Sequence, residues 1–115
     1  MQFIAKALRI PMSPYKLRAL ADVVRGKNVA EALHWLTIHP TRRALPIKKV
    51  IQSAAGNAKH LKGMEENQLR VSKITIDEAH KVRYAKPGSM GRSNPQTRRF
   101  CHINVIVEPS RNKEL

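Results

Sequence analysis

The residues of this chain most able to do chemistry are the cations between Ala79 and Val107, a stretch without a single acidic residue. Six positively charged side chains are spaced along it: Lys81, Arg83, Lys86, Arg92, Arg98 and Arg99. Cations that no carboxylate neutralises are suited to binding the phosphates of a nucleic acid. The pattern therefore favours electrostatic binding of a polyanion. A simpler interpretation is that these are solvated charges that protect an edge strand from aggregation.

Two adjacent pairs of residues could instead suggest catalysis, Cys101 with His102 and Asp77 with Glu78. Neighbouring residues in a strand point to opposite faces, so neither pair can easily share a metal ligand or a proton. The single cysteine cannot complete a zinc set, and neither a phosphate-binding glycine motif nor a nucleophile elbow is found. We therefore expect no enzymatic activity, no catalytic residue, no metal and no cofactor.

The centre of the basic stretch, Lys86 to Gly91, has the composition of a turn. Its proline fixes φ and its glycines tolerate positive φ, so a chain reversal is expected there. The flanks, residues 71–77 and 102–107, alternate between apolar and polar side chains as strands do. The sequence thus predicts a long β-hairpin whose root is apolar and whose outer part is basic.

The reach of this hairpin bears on its partner. About 12 residues per arm span ~40 Å, whereas a compact domain of ~100 residues has a radius of gyration of only ~13 Å. The arm could not fold back into the body without burying its cations, and an isolated two-stranded ribbon is marginal in water. We therefore expect a partner that surrounds the arm, and a nucleic acid has the required charge.

Composition agrees with this interpretation. The 115 residues are a single-domain length, and 42% of them are hydrophobic, enough for a modest core. The net charge of +14 favours a nucleic acid or another anionic surface as partner. Only 4% of the residues are aromatic, so phosphate and shape contacts are expected to dominate over stacking on bases.

The lone Cys101 fits a reducing compartment. No run approaches the ~18 apolar residues of a membrane helix, and the amino end lacks the apolar segment of a signal peptide. These features predict a cytoplasmic protein with no membrane partner.

Upstream of the hairpin, the pattern predicts a strand over residues 3–10 and helices over about 13–25, 28–39 and 41–61. The third helix is expected to bury one face, which consists of Ile47, Val50, Ile51, Ala54, Ala58 and Leu61. The element order predicts an α+β fold: a small three-stranded antiparallel sheet packed on three helices, with a long basic β-hairpin extension. A single domain over residues 1–115 is expected, its body at about 1–78 and 103–110 and its extended hairpin at about 79–102.

Groups of residues along nearly the whole chain resemble one family, the large-subunit ribosomal protein L-twenty-two in its bacterial type. The groups are Ser13 to Arg18, Ala21 to Lys27, Ala30 to Leu33, Lys48 to Val50, Ser53 to Ala55 with Asn57 and Ala58, Val71 to Ile74 with Asp77 and Glu78, then Pro87, Gly91 with Arg92, Arg98 with Arg99, and His102 to Val105.

The resemblance implies a structural, non-enzymatic protein of the large ribosomal subunit. Its small body would lie on the outer face near the exit of the nascent-chain tunnel and support assembly. Its hairpin would run inward through 23S-type rRNA, and its tip, beside ribosomal protein L-four, would border the tunnel and the nascent polypeptide. The protein would not form a homo-oligomer, and a place in an organellar ribosome stays open.

Several positions depart from the family pattern. Ala79 and His80 stand where the family usually has Gly-Pro, and Gly88 stands at a tip position that is commonly arginine. Phe100 and Cys101 replace a common Thr-Ser before the histidine.

Two sets of candidate site residues follow. The rRNA-binding set consists of Arg9, Lys16, Arg18, Arg25, Lys27, Lys59, Lys81, Arg83, Tyr84, Lys86, Arg92, Arg98, Arg99 and His102. The tunnel-lining tip consists of Pro87, Gly88, Ser89, Met90, Gly91 and Arg92.

Two other classes of protein compete with this interpretation. In a DNA-binding regulator, the first two helices and the Gly26 turn would form a helix-turn-helix, but the third helix and the basic ribbon would then have no role. An enzyme acting on nucleic acid would need a carboxylate cluster or a metal set, and the sequence offers neither.

Overall fold

The structure, a computed structural model, describes residues 2–110 and is an α+β fold, as predicted. Residue 1 and residues 111–115 of the expected domain lie outside the described residues. The elements are β1 (Phe3–Ile10), α1 (Pro14–Val24), α2 (Val29–Ile38), α3 (Ala44–Lys62), β2 (Leu69–Glu78), β3 (Val82–Pro87), β4 (Ser93–Arg98) and β5 (Cys101–Pro109). Short 3₁₀ turns span Glu66–Gln68 and Ser89–Gly91. No helix within residues 2–110 is both long and apolar enough to cross a membrane.

The body is built on a three-stranded antiparallel sheet of order β1-β5-β2. The central strand β5 alternates buried and half-buried residues, so Ile103, Val105 and Val107 all point into the core. The helices cover that face, with α3 packed on β1 and β5 and α1 packed on β2. This is the predicted sheet, and strict alternation on β5 explains why one face is apolar.

Two irregularities adjust the sheet. In β2, Val71 pairs with Val107 but Lys73 pairs with Ile106, so Ser72 is an extra residue that forms a β-bulge. The bulge lets Val71 share the buried face with Ile74, although residues three positions apart in a regular strand point to opposite faces. The simple alternation expected over residues 71–77 is therefore wrong at Ser72. A second irregularity lies between Ala7 and Ile10 of β1.

The three helices occur where the sequence predicts them, with one boundary corrected. Helix α3 begins at Ala44 and not at Thr41, because Pro46 then occupies the first turn, where no backbone N–H is needed. A helix from Thr41 would place that proline where its missing N–H should bond to the preceding turn. Gly63, at φ +65°, ends the helix as expected.

The predicted buried face of α3 is correct except at its last residue. Ile47, Val50, Ile51, Ala54 and Ala58 are buried, but 66% of Leu61 is exposed. Leu61 lies in the last turn of the helix, two residues before Gly63.

The arm is a separate two-stranded ladder, β3 paired with β4 from Val82–Arg98 to Pro87–Ser93. One backbone hydrogen bond, from the Ala79 N–H to the Phe100 carbonyl at 3.0 Å, bridges it to the body sheet. The predicted hairpin therefore consists of two ladders, β2–β5 and β3–β4, and the residues between them belong to neither ladder. The arm makes the molecule elongated, with principal extents of 68 × 26 × 17 Å.

Candidate nucleic-acid interface

The arm presents positive charge from both of its faces. Every residue of β3 and β4 is exposed. Directly paired residues share a face of a ladder, so Tyr84 and Lys86 lie on the same face as Arg98, while Arg83 lies on the opposite one. A ribbon with cations on both faces is suited to a partner that encloses it, more than to a flat surface.

The cations of the arm are not neutralised within the protein. The ion pairs found in residues 2–110 join Arg25 to Asp22, Lys59 to Glu65 and Arg70 to Glu108, all in the body. Within the same residues, none of the ion pairs involves Lys81, Arg83, Lys86, Arg92, Arg98 or Arg99. Their charges are available to an external polyanion.

The tip is a tight turn in which the Gly88 N–H donates to the Arg92 carbonyl. Met90 has φ +58° and is 99% exposed, and Gly91 has φ +77°. A Cβ added at Gly88 would lie 3.0 Å from the Arg92 carbonyl oxygen and 3.1 Å from Asn94 Nδ2. The close approach of these atoms explains glycine at this position, since a larger residue would force the turn to shift.

Tyr15 connects the first helix to the base of the arm, a contact that no local sequence pattern indicates. Its hydroxyl donates to Glu78 Oε1 at 3.0 Å. The guanidinium carbons of Arg18 and Arg99 lie 5.4 and 5.8 Å from its ring centroid, within the range of cation–π attraction. Arg99 is thus held next to the body while its charge stays exposed.

Two body cations of the candidate set donate hydrogen bonds to backbone carbonyls of β2. Arg18 donates to the Ile76 carbonyl, and Arg25 Nη2 donates to the Ile74 carbonyl at 2.8 Å. Strand β2 is an edge of the sheet, and such edges expose unpaired carbonyls. Arg18 and Arg25 therefore supply hydrogen-bond donors to carbonyls that the edge of the sheet would otherwise leave unpaired. No sequence pattern signals the contact, because the partners are 58 and 49 residues apart.

The remaining body cations of the set are more open. Lys16 is exposed on α1. Lys27 Nζ lies 6.0 Å from the Trp35 ring centroid, and Lys59 Nζ lies 3.9 Å from Glu65 Oε1, a surface pair of little strength. Arg9 is exposed in the bulge of β1, and its backbone N–H donates to His102 Nδ1 at 3.1 Å.

The structure separates Cys101 and His102 as expected for neighbours in a strand. Cys101 is fully buried and His102 is half-buried on the other face. Burial raises the pKa of the Cys101 thiol above its ordinary value, although the positive charge of Arg18 opposes the shift. A buried, protonated thiol is a poor nucleophile. Within residues 2–110, no group of three or more histidine, cysteine, aspartate or glutamate side chains could hold a metal ion.

The fold and its charges define a small basic α+β protein with a projecting β-ribbon. A family model described as "Ribosomal protein L22p/L17e" matches residues 5–108. Two similar proteins are both named "Large ribosomal subunit protein uL22c": one from Draba nemorosa, 41% identical over 99 residues, and one from Lepidium virginicum, 42% identical over 99 residues. Each match covers 86% of this chain but 62% of the relative's length. The chain belongs to this family of large-subunit ribosomal proteins.

Proposed function

We propose that this protein is a structural constituent of the large ribosomal subunit that binds 23S-type rRNA and supports assembly. One observation carries the proposal: the β3–β4 arm projects from the body with every residue exposed and its cations unpaired with any carboxylate of residues 2–110. Without a partner, such an arm would bury no apolar surface and would be only marginally stable in water. A polyanion that surrounds the arm would neutralise its charges and order it.

The proposed mechanism is electrostatic and geometric, with no chemical step. The body docks on folded rRNA through exposed cations such as Arg9, Lys16 and Lys59. The arm threads between rRNA segments whose phosphates would otherwise repel each other. Ordering the arm costs conformational entropy, so part of the contact energy offsets that cost. Binding and ordering would therefore occur together, which suits a protein that guides assembly.

The tip has a finer proposed role. Residues 87–92 form the end of the ribbon most distant from the body, and the Met90 side chain projects fully into solvent. We propose that this turn lines the nascent-peptide tunnel, next to the growing polypeptide and to ribosomal protein L-four. Deleting residues 87–91 removes no buried side chain, so the protein should still join large subunits. Chemical probing of tunnel rRNA and the inhibition of translation by macrolides should both change, and wild-type values for both would refute the role of the tip.

Sedimentation of a tagged copy in a cell extract tests the broader function. Nearly all of the protein should travel with large ribosomal subunits and with complete ribosomes. A DNA-binding regulator would instead pellet with chromosomal DNA, and an enzyme acting on nucleic acid would remain largely free. Either of these two distributions would contradict the proposal.

A further inference from the structure

A cavity of about 280 Å³ lies where the body sheet gives way to the arm. Its lining consists of Arg9, Ala79, His80, Val82, Phe100 and His102. We propose that this cavity, named here the junction pocket, binds one unstacked nucleotide of the rRNA. The inference rests on the proposed function and adds to it a specific site for a single base.

The junction pocket exists because strand pairing is interrupted on two sides. The body ladder ends at the Glu78–Cys101 pair and the arm ladder begins at the Val82–Arg98 pair, which leaves Ala79 to Lys81 and Arg99 to Phe100 outside both. On the other side, the irregularity of β1 displaces Arg9 from the regular register. Arg9 adopts φ +58°, which is unusual for a residue with a side chain. Such strained residues cluster at functional sites.

The polar groups of the junction pocket suit a nucleotide. His102 Nδ1 accepts the Arg9 backbone N–H at 3.1 Å. In a neutral imidazole the other nitrogen then carries the proton, so His102 Nε2–H is a donor that a base carbonyl can use. The exposed Arg9 supplies a cation for the adjoining phosphate. In the proposed complex, His102 would donate to the base and Arg9 would bind the phosphate of the same nucleotide.

The aromatic groups supply the stacking surface. Phe100 and His80 both line the cavity, and unstacked RNA bases are bound on such rings. The guanidinium of Arg98 lies 5.9 Å from the Phe100 ring centroid, which adds positive charge beside the site. Ala79 and Val82 complete the wall with apolar surface. This combination of ring, donor and cation matches a base with its phosphate.

The charge of the junction pocket favours a nucleotide over a basic peptide, and its aromatic surface favours a nucleotide over an acidic peptide. None of the six lining residues carries a carboxylate, so a basic peptide would find no counter-charge. The adjacent acids are engaged elsewhere, since Asp77 accepts from Asn104 Nδ2 at 2.9 Å and Glu78 accepts from the Tyr15 hydroxyl. An acidic peptide would use Arg9 but would leave the flat surface of Phe100 without a matching partner. A nucleotide can use both groups, because its phosphate can bind Arg9 and its base can stack on Phe100.

The test compares Phe100→Leu with Ile38→Ala in binding to a 23S-type rRNA transcript. Phe100→Leu keeps an apolar side chain but removes the ring from the junction pocket. Ile38→Ala removes an exposed apolar side chain of α2 that lies outside the pocket and outside the candidate rRNA-binding set. Losing one contact between a base and a ring should weaken binding about tenfold. In chemical probing of the transcript, wild-type protein should protect the base edge of one unpaired nucleotide. Phe100→Leu should abolish that protection, and Ile38→Ala should retain it.

A second variant distinguishes the loss of the pocket ring from a loss of the fold. The His80 side chain is exposed, so His80→Ala should leave the urea midpoint unchanged while reducing the same protection. If wild-type protein binds the transcript and neither pocket variant alters the protected nucleotide, the inference is overturned while the proposed function stands. If wild-type protein does not bind the transcript at all, the proposed function itself fails. A crosslink from the pocket to a peptide of a neighbouring protein, with no protected nucleotide, would also overturn the inference.

Discussion

The guanidinium of Arg18 donates two hydrogen bonds to the Ile76 carbonyl oxygen, from Nε at 3.1 Å and from Nη2 at 2.9 Å. The contact ties α1 to the outer edge of β2, just before the chain enters the arm. The turn after α1 continues this protection, because the Gly26 N–H donates to the Val71 carbonyl and the Val71 N–H donates to the Lys27 carbonyl. The edge strand that leads into the arm is thus held by side chains and by backbone.

Replacing Arg18 by alanine should therefore destabilise the body. Removing a charged donor from a partly buried carbonyl costs about 1–2 kcal/mol in the free energy of unfolding. Lys16→Ala, on the exposed side of the same helix, should change it by no more than about 0.5 kcal/mol. Urea unfolding measures both variants. Equal effects of the two substitutions would show that the Arg18 contact does not hold the edge.

The pair of Arg70 and Glu108 predicts a pH dependence. Burial alone would raise the pKa of Glu108, but the charge of Arg70 and hydrogen bonds from Ser72, Gln2 and Arg70 together hold it below its ordinary value of 4.5. A lowered pKa means that the folded protein favours the carboxylate. The carboxylate therefore contributes stability above pH 4.5, and this stability is lost as the pH falls through the folded-state pKa.

Glu108→Gln should accordingly destabilise the protein at pH 7 and should have a much smaller effect in strong acid. Urea unfolding at a series of pH values from 7 downward measures the difference from wild type. Glu66→Gln, at an exposed position, is the matched control. A difference between Glu108→Gln and wild type that stays constant over the whole series would contradict the assignment of the ion pair.

The two leucines Leu17 and Leu61 test the position of the core. Leu17 is fully buried, whereas Leu61 is 66% exposed although its spacing predicts burial. Leu17→Ala should cost about 2–5 kcal/mol, and Leu61→Ala should stay within about 0.5 kcal/mol. Thermal or urea unfolding distinguishes them. A large destabilisation by Leu61→Ala would mean that the end of α3 is covered in solution.

The free protein should be folded in its body and poorly protected in its arm. The buried residues of α3 should retain amide hydrogens, whereas residues 82–96, which are all exposed except for the half-buried Gly88, should exchange rapidly. Amide exchange followed by mass spectrometry gives both values. Slow exchange in the arm of the isolated protein would show that the ribbon does not need rRNA for its order.

Local signals in the sequence predicted much of the fold. Pro14 and Gly26 bound the first helix, Gly63 ends the third, and the alternation of β5 predicts its buried face. Each of these features depends on residues close in sequence. The start of α3 is also a local feature, in which two signals conflict. Thr41 favours a helix cap at that position, but Pro46 excludes a helix that begins there, and the proline prevails.

What the sequence could not predict depends on distant partners. The bulge at Ser72 is set by pairing with β5, and the burial of a leucine at the end of a helix is set by the elements around it. The role of Arg18 at the sheet edge and the junction pocket beside Phe100 both join segments far apart in the chain. For the candidate interface, the sequence identifies the charged residues, and the structure shows which of them have a partner inside the protein.

The salt dependence of rRNA binding tests the central claim most directly. A variant with Lys81, Arg83, Arg98 and Arg99 changed to glutamine can be compared with one in which Arg42, Arg43, Lys62 and Lys73 are changed, so that both have the same reduced charge. If the arm cations bind phosphates, the slope of log K against log salt should fall by about 0.7–0.9 for each phosphate that is no longer neutralised, or about 3 in total. The body variant should show a much smaller change. An arm variant whose slope equals that of wild type, or is lowered no more than that of the body variant, would contradict the proposal that the cations of the arm bind rRNA phosphates.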